Sequence, residues 1–374
     1  MDARIEIRNG AKSRAFFSTQ EMKTRLSKAR QLMEQHHLDA LLLSGVGHIS
    51  YFSGLVVDSR EKAPTVLLIL PQRSVLIAPL SVGGHSYRNS FCESWLYADF
   101  GHFLQHVQHY LSGAKRIGVA SMSFSAGLLR RLATVLPSLK KALCVEVPLC
   151  ALRKIKSEEE KLLYSRAEQI AKRGFEIGVS LLKEGISELD LALKIREALI
   201  FEAAYFFPQM DVSQSYSRVQ SSLNTDSVIA PPSTRLLQQG DLVNLTVCPV
   251  IGHYDYPVSC SVVVGTSGEV DSAYTTSLKS VYQTFLDCVQ VNIPISLLRA
   301  DMKRYLEYRL KDVRNYDISI GCLDAVSGEE ALGEEMRIQA NTIVVFSVQL
   351  SKLSYDHYLN VYRLTHPVWV EGPR

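Results

Sequence analysis

Apolar residues in the first part of the chain follow two patterns, short continuous runs and runs that repeat every three or four positions. Four short, mostly apolar runs predict strands: Leu38–Leu43, Thr65–Leu70, Arg73–Ile77 and Arg116–Ala120. Three segments with the helical period predict helices: Arg25–His37, Phe100–Leu111 and Phe124–Leu136. Because strands and helices alternate, we expect an α/β domain whose sheet is at least partly parallel.

The pattern changes after Pro148. Ser157 followed by Glu160 is a capping box, which predicts the start of a helix that extends to about Lys183, and a second helix follows at about Ser187–Tyr205. Later segments predict strands at Leu242–Val250, Val258–Val264, Thr342–Leu350 and Tyr358–Val370, and helices at about Ser272–Val289 and Leu297–Val313. We therefore expect an α+β domain with a curved, mostly antiparallel sheet and helices on one face.

The composition is that of a globular protein large enough for two hydrophobic cores. The chain has 374 residues, of which 47% are hydrophobic and 21% are charged. We predict an N-terminal domain at residues 1–147, a linker at residues 148–156 and a second domain at residues 157–374.

The charge pattern excludes two classes of partner. A net charge of +3, without long blocks of one sign, favours neither nucleic acid nor an anionic membrane. The chain lacks a stretch of about 18 apolar residues, and Met1–Gly10 lacks the apolar core of a signal peptide. Seven cysteines without a CxxC pair predict reduced thiols, so we expect a cytoplasmic protein.

Three stretches resemble the creatinase, prolidase and aminopeptidase P family: Arg25–Leu55, Leu152–Ile170 and Leu236–Gly265. The last is similar to the strand pair that carries the first two metal ligands of that family. The resemblance covers nearly the whole chain and implies that the second domain has the family's pita-bread fold. It also implies a homodimer, and a site in which two aspartates, a histidine and two glutamates hold two divalent ions such as manganese.

The positions that the resemblance assigns to metal ligands carry other side chains here. These positions are Thr246, Pro257, Ile318, Gln349 and Leu364. Divalent ions of this kind need carboxylate or imidazole donors, so we predict that the protein has no metal cofactor. An alternative stays open, because a shifted alignment would bring in other donors nearby: Asp255, His253, Asp324 and Glu371.

The resemblance also covers a metal-free reaction. Creatinase hydrolyses a guanidino compound without a metal and relies on a histidine base, whose position falls here on Ile229. A second, substrate-binding histidine falls near Ala325. Neither isoleucine nor alanine accepts a proton, so we expect this route to be lost as well.

We therefore predict a catalytically inactive Xaa-Pro peptidase-like protein whose former pocket binds peptide or protein. Two alternatives remain: a metal-dependent Xaa-Pro aminopeptidase or dipeptidase with shifted ligands, and a structural partner of an active paralogue. The Ser-, Gln- and Asn-rich stretch Asp211–Pro232 is interpreted as a polar loop rather than as a recognition loop.

Overall fold

The computed structural model describes residues 17–56, 61–82, 91–208, 210–266, 268–309, 315–324, 328–331, 333, 335–353 and 359–372. These residues form two compact units. Unit 1 comprises the described residues up to Lys154 and the segment Phe207–Asp211, and unit 2 comprises the rest from Ile155 onward. Within the described residues, every helix is too short or too polar to cross a membrane.

Unit 1 has the expected α/β architecture. Its helices are α1 (Thr19–Gln35), α2 (Val46–Ser53), α3 (Phe100–Leu111), α4 (Ala126–Val135) and α5 (Glu146–Lys154). Its strands are β1 (Ala40–Ser44), β2 (Val66–Ile69), β3 (Ser74–Pro79), β4 (Glu93–Tyr97), β5 (Ile117–Val119) and β6 (Leu143–Cys144). In the described part they form a sheet of order β4-β3-β2-β1-β5-β6. The pairs β1–β5, β5–β6 and β3–β4 are parallel, which confirms a partly parallel sheet.

The core of unit 1 follows directly from the apolar pattern. Every residue of β1, β2 and β3 is buried, because these strands are continuous apolar runs covered on both faces. Phe103 and Val107 of α3 and Leu132 of α4 pack against the sheet from the apolar stripes of their helices.

Two helices of unit 1 escaped the sequence analysis. Helix α2 begins directly after Gly45, whose φ of 82° is in the left-handed region, and a Cβ there would lie 2.8 Å from Ser123. Helix α5 occupies most of the segment 148–156 that we predict as a linker. Pro148 is in the first turn of α5, where its missing N–H removes no helical hydrogen bond.

Unit 2 contains two pairs of helices and one large sheet. The helices are α6 (Glu158–Leu181), α7 (Glu188–Phe206), α8 (Glu269–Cys288) and α9 (Ile295–Arg309). The strands are β7 (Tyr216–Ser221), β8 (Leu242–Cys248), β9 (Val250–Ile251), β10 (Tyr254–Asp255), β11 (Val258–Val263), β12 (Asn315–Asp324), β13 (Gly328–Ala331), β14 (Thr342–Leu353) and β15 (Leu359–Val370). The predicted capping box is present at the start of α6, since the Ser157 hydroxyl accepts from the Glu160 N–H and the Glu160 carboxylate accepts from the Ser157 N–H.

The large sheet has the order β13-β12-β14-β15-β11-β8-β7 over the described strands, and its neighbouring strands are antiparallel. This arrangement confirms the α+β prediction for the second domain. Strands β7 and β12 were not predicted. Strand β7 lies within the stretch Asp211–Pro232, so the interpretation of that whole stretch as a loop is wrong.

The large sheet has two faces of opposite character in its central strands. Successive side chains of a strand point to opposite faces. On β12, β14 and β15 the even-numbered residues, such as Phe346, Val348 and Tyr362, pack into a core with Phe285 of α8 and Met302 of α9. We call this the helix-covered face, and the opposite side, which carries the odd-numbered residues of these strands, the polar face.

Candidate ligand-binding site

Small hydroxyl side chains form a row across the polar face. The register of β8, β11, β15, β14 and β12 places five of them side by side: Thr246, Ser259, Thr365, Ser347 and Ser319. Two neighbouring pairs are hydrogen-bonded at 2.8 Å, Thr246 Oγ1 to Ser259 Oγ and Ser347 Oγ to Thr365 Oγ1. Arg218 lies opposite Thr246 on β7 and ends this hydroxyl row.

A second row runs parallel to the hydroxyl row, displaced from it by two residues on each strand. It contains amide, hydroxyl and charged side chains: Gln220, Asn244, Ser261, Arg363, Gln349 and Asp317. We call it the amide row. The Asn244 amide donates to the Val361 carbonyl at 2.8 Å, and Ser261 Oγ accepts from the Arg363 N–H at 2.6 Å. Asp317, at the far end of the row, is exposed.

The Arg363 guanidinium is buried in the amide row, and the side chain is only 2% exposed. It reaches from β15 to β7, where Nη1 donates to Gln220 Oε1 at 3.2 Å. Nη2 donates to the Thr225 carbonyl at 3.5 Å, and Nε has no partner within the described part of the chain. Sequence analysis missed this residue, because an arginine in an alternating strand normally marks the solvent side.

The structure separates the five positions that the resemblance assigns to metal ligands. Thr246 and Gln349 lie in the two rows on the polar face. Ile318 and Leu364 instead pack against the core on the helix-covered face, so their assignment to the pocket is wrong. The reason is geometric, since a shift of one residue along a strand moves a side chain to the opposite face. Pro257, directly before β11, is partly exposed.

The donors proposed for a shifted alignment do not join the rows. Asp255 is on β10, opposite Val250, and burial raises its pKa to about 6. The Asp255 charge lies close enough to raise the pKa of Cys248 on β8, beyond the larger effect of burial. His253 is buried at a positive φ in the turn before β10, and Asp324 is buried at the end of β12. Glu371 follows the last strand.

Two positions, Ile229 and Ala325, were matched to the histidines of creatinase. Ile229 is in the loop after β7, and its side chain is 75% exposed. Ala325 lies outside the described residues.

A buried glutamate holds the loop that follows β7 in place. Glu188, at the start of α7, is fully buried and accepts hydrogen bonds from the N–H and hydroxyl groups of Ser221 and Ser233 and from the Asn224 amide. Burial alone would raise the pKa of Glu188, but the hydrogen bonds from Ser221 and Ser233 outweigh it and lower this pKa. Sequence analysis missed this role, because an acidic residue in a first helical turn already has a simpler explanation, the helix dipole.

The chemistry of the two rows is hydrogen bonding and anion attraction. In the ranges that the structure describes, no three His, Cys, Asp or Glu side chains come together in a way that could hold a metal ion. The rows offer hydroxyl and amide groups and the guanidinium groups of Arg218 and Arg363, with Asp317 as the carboxylate of the described row residues. Such a surface suits polar or anionic ligands.

Comparison with known protein families yields two matches. Residues 25–155 match the creatinase/prolidase N-terminal domain. Residues 163–353 match metallopeptidase family M24, which is about half of the chain.

Individual relatives are consistent with both matches. The chain is 26% identical over 344 residues to a creatinase from a Bacillus species, covering 90% of this chain and 83% of that protein. It is 22% identical to an Xaa-Pro dipeptidase from Pyrococcus horikoshii, covering 71% of this chain and 69% of that protein. Among solved structures, the prolidase from Pyrococcus horikoshii OT3 has a TM-score of 0.77 at 17% identity, covering 93% of this chain and 95% of that one. A dipeptidase from Mycobacterium ulcerans has a TM-score of 0.75 at 21% identity, covering 95% of each chain.

The match to a metallopeptidase family implies a metal centre, and the polar face can be tested for one. Two of the positions matched to ligands, Thr246 and Gln349, carry a hydroxyl and a neutral amide. Divalent ions of metallopeptidases bind carboxylates and imidazoles, and they are repelled by guanidinium groups such as those of Arg218 and Arg363. The described side chains of the two rows therefore do not fit a dinuclear metal centre.

Proposed function

The chain belongs to metallopeptidase family M24, and from this premise we propose that it is a catalytically inactive, Xaa-Pro peptidase-like member whose polar face binds peptide or protein. The proposal is supported by one observation above the others. Where the family chemistry needs clustered metal ligands, the polar face carries hydroxyl groups, amides and two arginines. A metal-activated water requires carboxylate or imidazole ligands, which these side chains do not supply.

The same side chains are suited to hold an extended peptide. Neighbouring strands are about 4.8 Å apart, so each row presents donors and acceptors at a regular spacing across the face. Thr246, Ser347 and Gln349 are small or neutral, and they pair with peptide amides without the cost of burying a charge. We therefore assign the rows a binding role rather than a catalytic one.

A second candidate function is a metal-dependent Xaa-Pro peptidase that uses shifted ligands. The similarity to the Pyrococcus horikoshii Xaa-Pro dipeptidase favours it. Among the described residues, Asp255 is the best candidate ligand for such a site, because it is partly buried near the end of β8. A single carboxylate does not hold two divalent ions, so this function needs further ligands beyond those described in the rows.

Metal binding and turnover decide between the two functions. The purified protein is incubated with manganese or zinc, its bound metal is measured by mass spectrometry, and hydrolysis of the dipeptide Ala-Pro is followed. We expect less than one bound ion per chain, no turnover, and an unchanged melting temperature. A bound ion at a hundredfold excess over its dissociation constant would stabilise the fold by about 2.7 kcal/mol. Manganese-dependent cleavage of Ala-Pro that is lost in Asp255→Asn would establish the peptidase instead.

The variant Thr246→Asp provides a control for this experiment. It returns one carboxylate to a position matched to a ligand. Because Arg218 lies opposite in the register, we expect the new carboxylate to pair with this guanidinium and not with a metal ion. Manganese binding by this variant would show that the remaining ligands are present after all.

A further inference from the structure

Unit 1 contains a cavity of about 580 Å³ whose lining residues come from unit 1 itself. It is formed by the residues that follow β1, those that begin α4 and those that precede β2. Strands β1 and β5 are parallel, so both end at this edge of the sheet, and β2 starts there because it is antiparallel to β1. In open α/β sheets, ligands bind outside the carboxyl ends of the strands. We infer that this cavity binds the phosphate group of a small organic phosphate ester.

Two helices begin at the wall of the cavity. Gly45 and Val46 at the start of α2 line it, and so do Ser125 and Gly127 at the start of α4. The N–H groups of a first helical turn have no partner within the helix and form its positive end, so they attract anions. Gly45 has no side chain to cap α2, whereas the Ser125 hydroxyl accepts from the Leu128 N–H of α4. The two helix starts therefore offer backbone donors beyond the one that Ser125 caps.

Two cationic side chains add to the positive character of the cavity. Lys62 and Arg131 both line it and are exposed. Neither forms an ion pair with the residues that the structure describes. The Arg131 guanidinium stacks over the Phe100 ring at 4.9 Å, which holds it beside the cavity. Glu61 also lines the cavity, but both of its carboxylate oxygens already accept hydrogen bonds from unit 1.

A buried hydroxyl in the cavity wall independently points to a polar ligand. Thr65 lines the cavity directly before β2 and is only 6% exposed. Its Oγ1 atom has no hydrogen-bond partner among the described residues. By contrast, the hydroxyl of Ser44, which also lines the cavity, donates to the Thr65 carbonyl at 3.2 Å. A buried hydroxyl without a partner costs free energy, and a ligand oxygen in the cavity would remove that cost.

The size and the walls of the cavity indicate a ligand larger than phosphate itself. A volume of about 580 Å³ is in the range that holds small organic molecules. Ile49, Phe100 and Leu128 supply apolar surface beside the helix starts. Phosphate suits the polar part better than carboxylate does, since the oxygens of a phosphate ester can accept from both helix starts and from the two cations together. The ligand class is therefore a small phosphomonoester.

The test measures binding of phenyl phosphate to the whole protein by calorimetry, with benzoate and inorganic phosphate as comparisons. Phenyl phosphate and benzoate share a ring and differ in the anion. We expect phenyl phosphate to bind at least about tenfold more tightly than benzoate, because a carboxylate has fewer oxygens to accept from the donors of the cavity. Inorganic phosphate should bind more weakly than phenyl phosphate, because it leaves the apolar wall uncovered. Bound phenyl phosphate should also raise the melting temperature above its value in chloride at equal ionic strength.

Two pairs of variants locate the site. Arg131→Gln should weaken phenyl phosphate binding about tenfold, whereas Arg130→Gln, on an adjacent exposed side chain that does not line the cavity, should leave it unchanged. Gly127→Asp adds a carboxylate at the start of α4, where a new Cβ meets no atom within 4 Å. It should abolish binding by charge repulsion without a loss of stability, because an acidic residue favours a helix start. Gly113→Asp, where a Cβ is equally free of contacts, adds the same charge outside the cavity and should have no effect on binding.

Thr65→Val tests the buried hydroxyl. The melting temperature of the protein without ligand should not fall, because the hydroxyl makes no hydrogen bond with the described residues. Binding of phenyl phosphate should nevertheless weaken. A lower melting temperature together with an unchanged affinity for phenyl phosphate would show that this hydroxyl serves the fold and not the ligand.

The remaining outcomes are decisive for the cavity as a whole. Phosphate salts stabilise many proteins because they are excluded from the protein surface. A rise in melting temperature that is equal in wild type, Arg131→Gln and Gly127→Asp would be this general effect and would overturn the site. Equal binding of phenyl phosphate and benzoate would overturn the assignment to phosphate. Peptide binding enters none of these measurements, so this inference and the proposed function fail or hold separately.

Discussion

The two faces of the large sheet are made by alternate residues of the same strands, yet they carry opposite chemistry. On β14, Phe346 and Val348 enter the core under α8 and α9, whereas Ser347 and Gln349 face the other way. The helix-covered face is filled with large apolar side chains, whereas the two rows on the polar face consist mainly of small hydroxyls, amides and arginines. The first face packs the core of the M24 fold, and the second carries the two polar rows.

This difference shows that the packing of the sheet and the chemistry of its polar face are carried by different residues of the same strands. The packing that stabilises the sheet depends on the even-numbered residues of β12, β14 and β15, which the helices cover. The odd-numbered residues of the two rows are not part of that core, so we expect substitutions among them to leave the packing unchanged. The architecture therefore does not by itself determine the chemistry of the polar face.

The largest expected effect comes from Phe346→Ala on the helix-covered face. The Phe346 ring is fully buried and stacks on Phe285 with ring centroids 4.3 Å apart. Its removal leaves a cavity and should lower the free energy of unfolding by about 3–5 kcal/mol. Urea denaturation measures this change, with the adjacent Ser347→Ala as control. A loss below about 1 kcal/mol would mean that this face does not hold the fold.

The next effect concerns the glutamate that anchors the loop behind the polar face. Glu188→Gln leaves the donors of Ser221 and Ser233 facing an amide, and should destabilise the protein by about 2–3 kcal/mol at neutral pH. The folded pKa of Glu188 is lowered, so its contribution is complete above the ordinary glutamate pKa of about 4.3. That contribution disappears as the pH falls through the lower, folded pKa.

The pH dependence can be checked by urea denaturation of both proteins from about pH 7 to about pH 3. The difference in stability between wild type and Glu188→Gln should shrink towards the acidic end. A constant difference would show that the Glu188 carboxylate has the same pKa in the folded and unfolded chains.

Leu364→Glu distinguishes the two faces at a position that sequence similarity assigned to a metal ligand. Leu364 packs against the core on the helix-covered face. A carboxylate there loses apolar contacts and is partly desolvated, so the variant should be destabilised by about 2 kcal/mol, with no gain of manganese binding. Gln349→Glu, on the polar face, is the matched control and should not be destabilised. A stable Leu364→Glu that binds manganese would reverse the assignment of the faces.

Much of the fold was predictable because its signals are local. The capping box of Ser157 and Glu160 determines where α6 begins, and the apolar runs of β1 and β14 determine two central strands. Strand β7 was missed, because its sequence of Tyr, Ser, Arg, Val, Gln and Ser offers few apolar residues. It is a strand because it pairs with β8 over six residues. This pairing joins two separate segments of the chain, so the local sequence of β7 does not reveal it.

The candidate site was only partly predictable, because similarity of sequence does not determine which way a side chain points. Of the positions matched to ligands, Thr246 and Gln349 lie on the polar face, whereas Ile318 and Leu364 pack against the core on the opposite face. The pattern of polar and apolar residues did not identify Arg363 as a residue of the site. Its burial depends on Gln220 and Thr225, which are far from it in sequence.

The smallest expected effect comes from removal of a hydroxyl pair next to the critical phenylalanine. Ser347 and Thr365 are hydrogen-bonded to each other on the polar face, and their register pair is next to the pair formed by Phe346 and His366. The double variant Ser347→Ala with Thr365→Val removes both partners and leaves neither group unsatisfied. Replacing both ends of a hydrogen bond by apolar groups of similar shape is nearly neutral, so the free energy of unfolding should change by less than about 0.5 kcal/mol.

Thr365→Val alone should cost about 1 kcal/mol, since it removes the partner of Ser347. Urea denaturation of the single and double variants measures the coupling between the two sites. If the double variant is as destabilised as Phe346→Ala, then the hydroxyl row carries the fold as well, and the independence of the two faces is refuted.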